Sequence, residues 1–209
     1  MRRALALAVV AATFAGCGGT AAERGHATLW VTRDRGTQVL LVRTVPAGLT
    51  AMQALDRVAD IETTYGGRYV QSISGIDGSI SSRHDWFYFV NGIEGDRSAA
   101  EVRLHAGDIE WWDYRSWTRQ MRQPVVVGAF PEPFTHGTTV VQGAPHAVAV
   151  RLSQRLGGSG RGRNVIRLVP GQRFRAELNG DGVSATLGVE TARRLLRDPS
   201  AVRYRYEVP

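Results

Sequence analysis

Two arginines and a mostly apolar run, Ala4 to Gly16, open the chain. The run is well short of the about 20 residues needed to span a bilayer and reads as the apolar part of a signal peptide. From Ala27 to Arg33 strand-forming residues dominate, Asp34-Arg35-Gly36 is a turn signal, and Gln38 to Val45 is a second apolar strand. The two predict a hairpin. After Pro46-Ala47-Gly48, Thr50 and Gln53 have the spacing of a capping box. Met52, Leu55, Val58 and Ala59 follow at helical spacing, predicting an amphipathic helix from Thr50 to Asp60. Short strand patterns bounded by Gly, Asn or Asp then recur at Tyr69–Ile73, Asp85–Val90, Glu101–Leu104 and Ile109–Tyr114. Strand, strand, helix and further strands make an α+β domain with a mixed sheet wrapped on one helix, the β-grasp arrangement being one of several that satisfy this order.

Further on, Pro124 to Phe130 reads as a strand, Ala144 to Leu156 as a helix, and Asn164 to Val169 as a strand. Arg173–Leu178 and Val183–Leu187 flank Asn179-Gly180-Asp181-Gly182 as a hairpin, and Val189 to Arg197 is helical. Val202, Tyr204, Tyr206 and Val208 alternate with Arg203, Arg205 and Glu207, predicting a final half-buried strand. These elements make a second small α/β domain.

Charge supports the division. Residues 25–118 hold 9 arginines and 12 acids, whereas residues 119–209 hold 14 arginines and 6 acids. All 5 tryptophans lie in the first stretch. The expected organisation is a signal peptide at 1–16, a tether at 17–26, a first domain at 27–118 and a basic domain at 124–209, opposite charges helping the two dock. All 26 basic residues are arginine, which excludes Schiff-base lysines and the lysine of a Walker loop. Gly157 to Arg163 is a glycine-rich loop with two arginines and without that order; it reads as a connection, with phosphate binding as a weaker alternative.

The one cysteine, Cys17, follows Thr13-Phe14-Ala15-Gly16. It cannot form an internal disulfide, and the segment resembles the bacterial lipobox. The implied state is a lipid anchor on Cys17 at the extracytoplasmic face of the cell membrane. Nucleic acid is not expected as a partner there.

Tyr65-Gly66-Gly67, Tyr69 to Gly75, Trp86-Phe87-Tyr88-Phe89-Val90-Asn91-Gly92 and Gly107-Asp108-Ile109-Glu110-Trp111 together resemble the C-terminal domain of transcobalamin and intrinsic factor, and a family of bacterial surface lipoproteins carrying the same domain. The resemblance covers roughly Leu29 to Trp117, and Val126 to Gly137 is similar to the segment that follows in actinobacterial members. It implies a β-grasp fold and a link to corrinoid capture.

Candidate binding residues follow from the aromatic pattern. Trp86 and Tyr88 alternate with Phe87 and Phe89, so that strand is apolar on both faces. Trp111, Trp112, Tyr114 and Trp117 form the densest aromatic cluster, and adjacent Trp111 and Trp112 must point to opposite faces. Each is open to ligand contact, a domain interface or plain core. Asn91-Gly92 has the sequence of a tight hairpin turn and, on the resemblance, sits near the ligand edge. The candidate ligand-binding set is Trp86, Tyr88, Asn91, Trp111, Trp112 and Trp117.

The 5 histidines show no metal-binding spacing, and His84-Asp85 beside Ser81-Ser82 has no nucleophile elbow or triad spacing. No catalytic residue, metal or cofactor is therefore expected. The leading expectation is a non-catalytic surface lipoprotein that binds a small ligand, a corrinoid on the resemblance, for an uptake system. The alternatives are an envelope protein-interaction module acting as a transporter accessory subunit, and a cell-wall or polysaccharide binder.

Overall fold

The structure is a computed structural model and describes residues 23–158 and 162–209. Cys17, the signal peptide and part of the glycine-rich loop lie outside the described residues.

A hairpin of β1 (His26–Arg33) and β2 (Gln38–Pro46) begins the first unit, with α1 (Ala51–Asp56) following. The capping box forms: Gln53 N donates to Thr50 Oγ1 (3.2 Å), and the Gln53 side chain accepts from Thr50 N (2.9 Å). The helix ends sooner than its apolar spacing predicts, at Asp56, with Val58 and Ala59 in the turn beyond. The chain then builds β3 (Ile61–Thr64), β4 (Tyr69–Ile73), β5 (Ile76–Asp77), β6 (His84–Val90), β7 (Ile93–Glu94) and β8 (Ile109–Ser116). The main sheet has the order β2-β1-β8-β6-β7 and is mixed, with β1 parallel to β8 and the other pairs antiparallel. A smaller antiparallel sheet, β3-β4-β5, lies beside it. The expected α+β class is met.

The expected strand at Glu101–Leu104 does not form. A 3-10 turn (Ala99–Glu101) leads into an extended piece bound to the residues before α1: Ala51 N donates to Val102 O (2.8 Å), and Leu104 N to Leu49 O (2.9 Å). Its apolar residues serve the core without joining a sheet.

Beyond residue 138 come β9 (Thr139–Gln142), α2 (His146–Arg155), β10 (Asn164–Val169), β11 (Phe174–Asn179), β12 (Gly182–Gly188) and α3 (Val189–Arg197). The order β11-β12-β10-β9 makes a mixed sheet, with β9, β10 and β12 mutually parallel. Ile166, Leu168, Phe174 and Leu187 of the strands pack with Leu152 and Leu195 of the helices on one face.

Two further expectations are corrected. Pro124 to Phe130 is irregular chain with one bridge, Ile93 to Val125, ending in a turn at 128–130. Its unbroken apolarity arises because it is wedged between two cores: Val125, Val127 and Phe130 join the second, and Val126 enters a cluster between the units. Residues 202–208 likewise form no strand beyond the bridge Phe174 to Val208. Val202 ends a 3-10 turn (Pro199–Val202), and the irregular tail beyond it sends Tyr204 and Tyr206 into the first unit. Gly128 lets that tail pass, since a side chain there would strike the backbone of Tyr204 and Arg205.

The main sheet of the first unit is thus buried on both faces. One face carries Leu29, Val31, Trp86 and Trp112 against α1. The other carries Trp30, Phe89 and Trp111 against Val126 and Tyr206. The joining surface is chiefly aromatic, with His136 Nε2 3.5 Å from Asp108 Oδ1 across it. Asp113 is fully buried there and accepts four hydrogen bonds: from Thr32 Oγ1 (2.5 Å), Gly36 N (3.1 Å), Arg35 N (3.1 Å) and Tyr206 Oη (2.7 Å).

Candidate functional site: an aromatic groove

Strand β7 pairs only with Phe89 and Val90, and Ser79 bridges His84 at the other end of β6. The stretch Asp85–Phe87 is left with one open edge, Tyr88 O accepting from Gly95 N (2.9 Å). A groove of about 670 Å³ follows that edge, lined by Trp86, Tyr88, Trp112 and Trp117. The structure brings these four of the six candidates together. Trp86 and Trp112 form its floor, almost wholly covered by neighbouring rings, while Tyr88 and Trp117 are half-buried. The Tyr88 ring stacks on Trp112 at 5.1 Å between centroids, tilted by 26°.

Hydrogen bonds fix the platform. Trp86 Nε1 donates to Ile76 O (2.8 Å), Tyr88 Oη to Arg97 O (2.7 Å), and Trp112 Nε1 to Glu110 Oε1 (2.5 Å). Gly95 lies flat against Tyr88, and any side chain at 95 would collide with that ring. Burial, with a contribution from Asp96, pushes the Tyr88 phenol up to about 12, so it stays a neutral donor. Glu110 is fully buried, its Oε2 has no partner among the described residues, and burial raises its carboxyl to about 8. At neutral pH the platform rests on a largely uncharged acid.

Trp111 and Asn91 are placed elsewhere. Trp111 has no exposed surface and donates from Nε1 to Thr32 Oγ1 (2.7 Å) in the cluster between the units. Asn91 sits in the β6–β7 turn with φ 53° beside Gly92 with φ 78°, the positive angles that an Asn-Gly hairpin turn requires. Its side chain donates to Asp108 Oδ1 (2.7 Å) and accepts from Ile109 N (2.9 Å), tying the turn to β8.

The groove also holds residues outside the candidate ligand-binding set. Tyr65, Ile80 and Met121 are 82%, 88% and 58% exposed beside it. Each stands in a polar local sequence, so hydrophobic periodicity carried no sign of them; Tyr65, next to Gly66-Gly67, belongs to a turn that tips its ring outward. Arg68, Arg97 and Arg122 stand on the rim, paired with Glu101, Asp96 and Glu94. Tyr69 donates to Asp85; burial first, then that contact, holds its phenol above the usual range.

The wall carrying Trp117 and Met121 is secured from beneath. Arg115 is fully buried, its guanidinium carbon 3.6 Å from the Phe87 ring centre. It donates to Gln120 O (2.7 Å) and Met121 O (2.8 Å) and pairs with Glu94 at 3.3 Å. Glu94 in turn accepts from Gln123 N (3.1 Å). Among the described residues, no group of three or more His, Cys, Asp or Glu side chains is arranged to hold a metal ion.

The arrangement offers the half-buried rings of Tyr88 and Trp117, exposed aliphatic and thioether edges, and a rim of guanidinium–carboxylate pairs. Such a site suits a ligand with a broad apolar face and polar substituents.

Comparison with known proteins covers part of this region. Residues 48–116 match the family model described as a domain of unknown function, DUF4430. Among solved structures the chain is similar to a crystal structure of a "putative metal binding protein" from Ruminococcus gnavus, with 18% identity, a TM-score of 0.36, and coverage of 44% of this chain and 98% of that one. No curated protein matches.

Proposed function

We propose that the chain is a non-catalytic binding protein whose aromatic groove receives one face of a broad, largely apolar ligand. The observation that carries this reading is the convergence of Trp86, Tyr88, Trp112 and Trp117 on a single groove of about 670 Å³, a volume within the usual range of ligand sites. The lining is mainly apolar and rich in aromatic rings, and Tyr65, Ile80 and Met121 leave apolar surface exposed beside it. We read the first unit as a β-grasp domain: α1 covers one face of a mixed sheet in which the parallel pair β1/β8 is central. Together with the transcobalamin-like sequence pattern, this reading makes a corrinoid the first ligand to test. The lipobox-like segment makes a lipid-anchored extracytoplasmic protein serving an uptake system its setting.

Calorimetric titration of the purified protein with cobalamin and with cobinamide tests the proposal. Saturable binding at micromolar concentration or tighter, about −8 kcal/mol or better, is the expected result. No heat with either corrinoid, from a sample with a cooperative unfolding transition, would remove corrinoid capture.

A second reading rests on β2. This edge strand exposes Val39, Leu40 and Val42 at 44%, 39% and 42%, and an apolar edge strand is a ready surface for another chain. On that reading the chain docks on an envelope protein such as a transporter subunit. Val42→Glu would abolish such an association and leave groove binding intact.

A further inference from the structure

The face of the second sheet turned away from α2 and α3 borders a separate cavity of about 410 Å³. Because alternate residues of a strand face opposite sides, the strands that bury Ile166, Ala185 and Phe174 turn Arg167, Thr186 and Arg175 to this face. Arg167 on β10 and Arg175 on β11 are both register partners of Thr186 on β12. The three form one row across the sheet, guanidinium, hydroxyl, guanidinium, with about 4.8 Å between neighbouring strands. Arg173 lies two residues from Arg175 on the same face, across from Gly188, where no side chain covers the floor.

Like charges set across a sheet repel unless something neutralises them. Glu207 does so in part, holding Arg175 by Nε (2.8 Å) and Nη2 (3.1 Å) and leaving the Nη1 group to point elsewhere. Glu177 stands in the adjacent row, beside Ser184. Arg167 and Arg173 make no ion pair and donate no side-chain hydrogen bond among the described residues.

We propose that this row binds a phosphate-class oxyanion, seated over the Thr186 hydroxyl between Arg167 and Arg175. Guanidinium forks match phosphate oxygens. A tetrahedral phosphate presents oxygens in several directions, so one anion can accept from both arginines and the hydroxyl together. The site is independent of the aromatic groove and shares no residue with it. A free phosphate compound or a phospholipid headgroup supplies the same chemistry.

The full chain is titrated with inorganic phosphate at constant ionic strength in chloride, and sedimented with phosphatidylcholine vesicles with and without phosphatidylglycerol. Arg167→Gln and Thr186→Val are compared with Arg151→Gln, an exposed arginine of α2. Thr186→Val keeps a strand-forming shape, and each variant's melting temperature reports whether it folds. The expected result is saturable binding to phosphate, to the phosphatidylglycerol vesicles or to both, weakened about five-fold or more by each row variant and unchanged by Arg151→Gln. Binding to phosphate identifies a free anion as the ligand source; binding to vesicles alone identifies a headgroup. No saturable binding in either arm, or equal weakening by all three variants, overturns the proposal.

Discussion

Trp111 and Trp112 are neighbours on β8 and serve opposite sides of one sheet. Trp111 is closed into the cluster between the units, with Tyr206 edge-on at 5.4 Å between ring centroids. Trp112 is stacked under Tyr88 on the groove side. Substitutions at the two positions therefore have different expected consequences.

Trp111→Ala removes a fully buried ring and should destabilise the fold by about 3–5 kcal/mol, read by urea denaturation. Trp117→Ala acts on a half-buried groove wall and should cost little stability, while weakening ligand binding about ten-fold or more, or ~1.4 kcal/mol. Equal loss of binding and stability in both variants would contradict the division of labour between the two faces.

Tyr206 supplies one of the four hydrogen bonds that satisfy buried Asp113. Tyr206→Phe keeps the ring and withdraws that donor from the carboxylate, so unfolding free energy should fall by about 1–3 kcal/mol. Tyr206→Ala also leaves a cavity and should fall further. A melting temperature unmoved by both substitutions would mean that the tail is not docked on the first unit in solution.

Glu110 gives the fold a pH dependence with a defined sign. Its carboxyl is raised by burial from 4.5 to about 8, so the folded state retains a proton that the unfolded chain releases. The contribution to stability is complete below about pH 4.5 and is lost as pH rises through about 8. Its upper size is on the order of a few kcal/mol. Glu110→Gln should flatten the stability profile between these limits; a profile of unchanged slope would show that other groups set it.

Arg115 and Glu94 hold the groove wall from below. Arg115→Met strips buried Glu94 of its buried guanidinium, leaving only the exposed Arg122 as its cation, and should cost about 3–5 kcal/mol. The double variant with Glu94→Gln should cost less than the sum of the single changes, and a double-mutant cycle measures that coupling. Additive losses would argue against the pair acting as a unit.

The local parts of this architecture were legible in the sequence. Thr50 and Gln53 announce α1 because a cap is a contact over three residues, and the runs at Ala27–Arg33 and Ile109–Tyr114 announce β1 and β8 through their composition. Trp111 and Trp112 had to diverge, yet which of them meets the groove depends on where α1 and the tail pack, and that is long-range information. Pro124–Phe130 and Val202–Val208 were read as strands because burial on two sides, or alternation in an irregular tail packed on another unit, writes the same pattern as a ladder. Arg115 was invisible for the opposite reason: by residue type it counts as surface charge, and only the folded chain surrounds it with Glu94, Phe87 and two carbonyls.

The contact between Tyr206 and Asp113 joins residues 93 positions apart. A ribosome therefore finishes β8 long before it makes the residue that covers its second face. Until then Trp30, Phe89 and Trp111 form an open aromatic surface on a nascent chain, the kind of surface that chaperones hold and that promotes aggregation. The first unit completes the burial of this face only once the tail has been made.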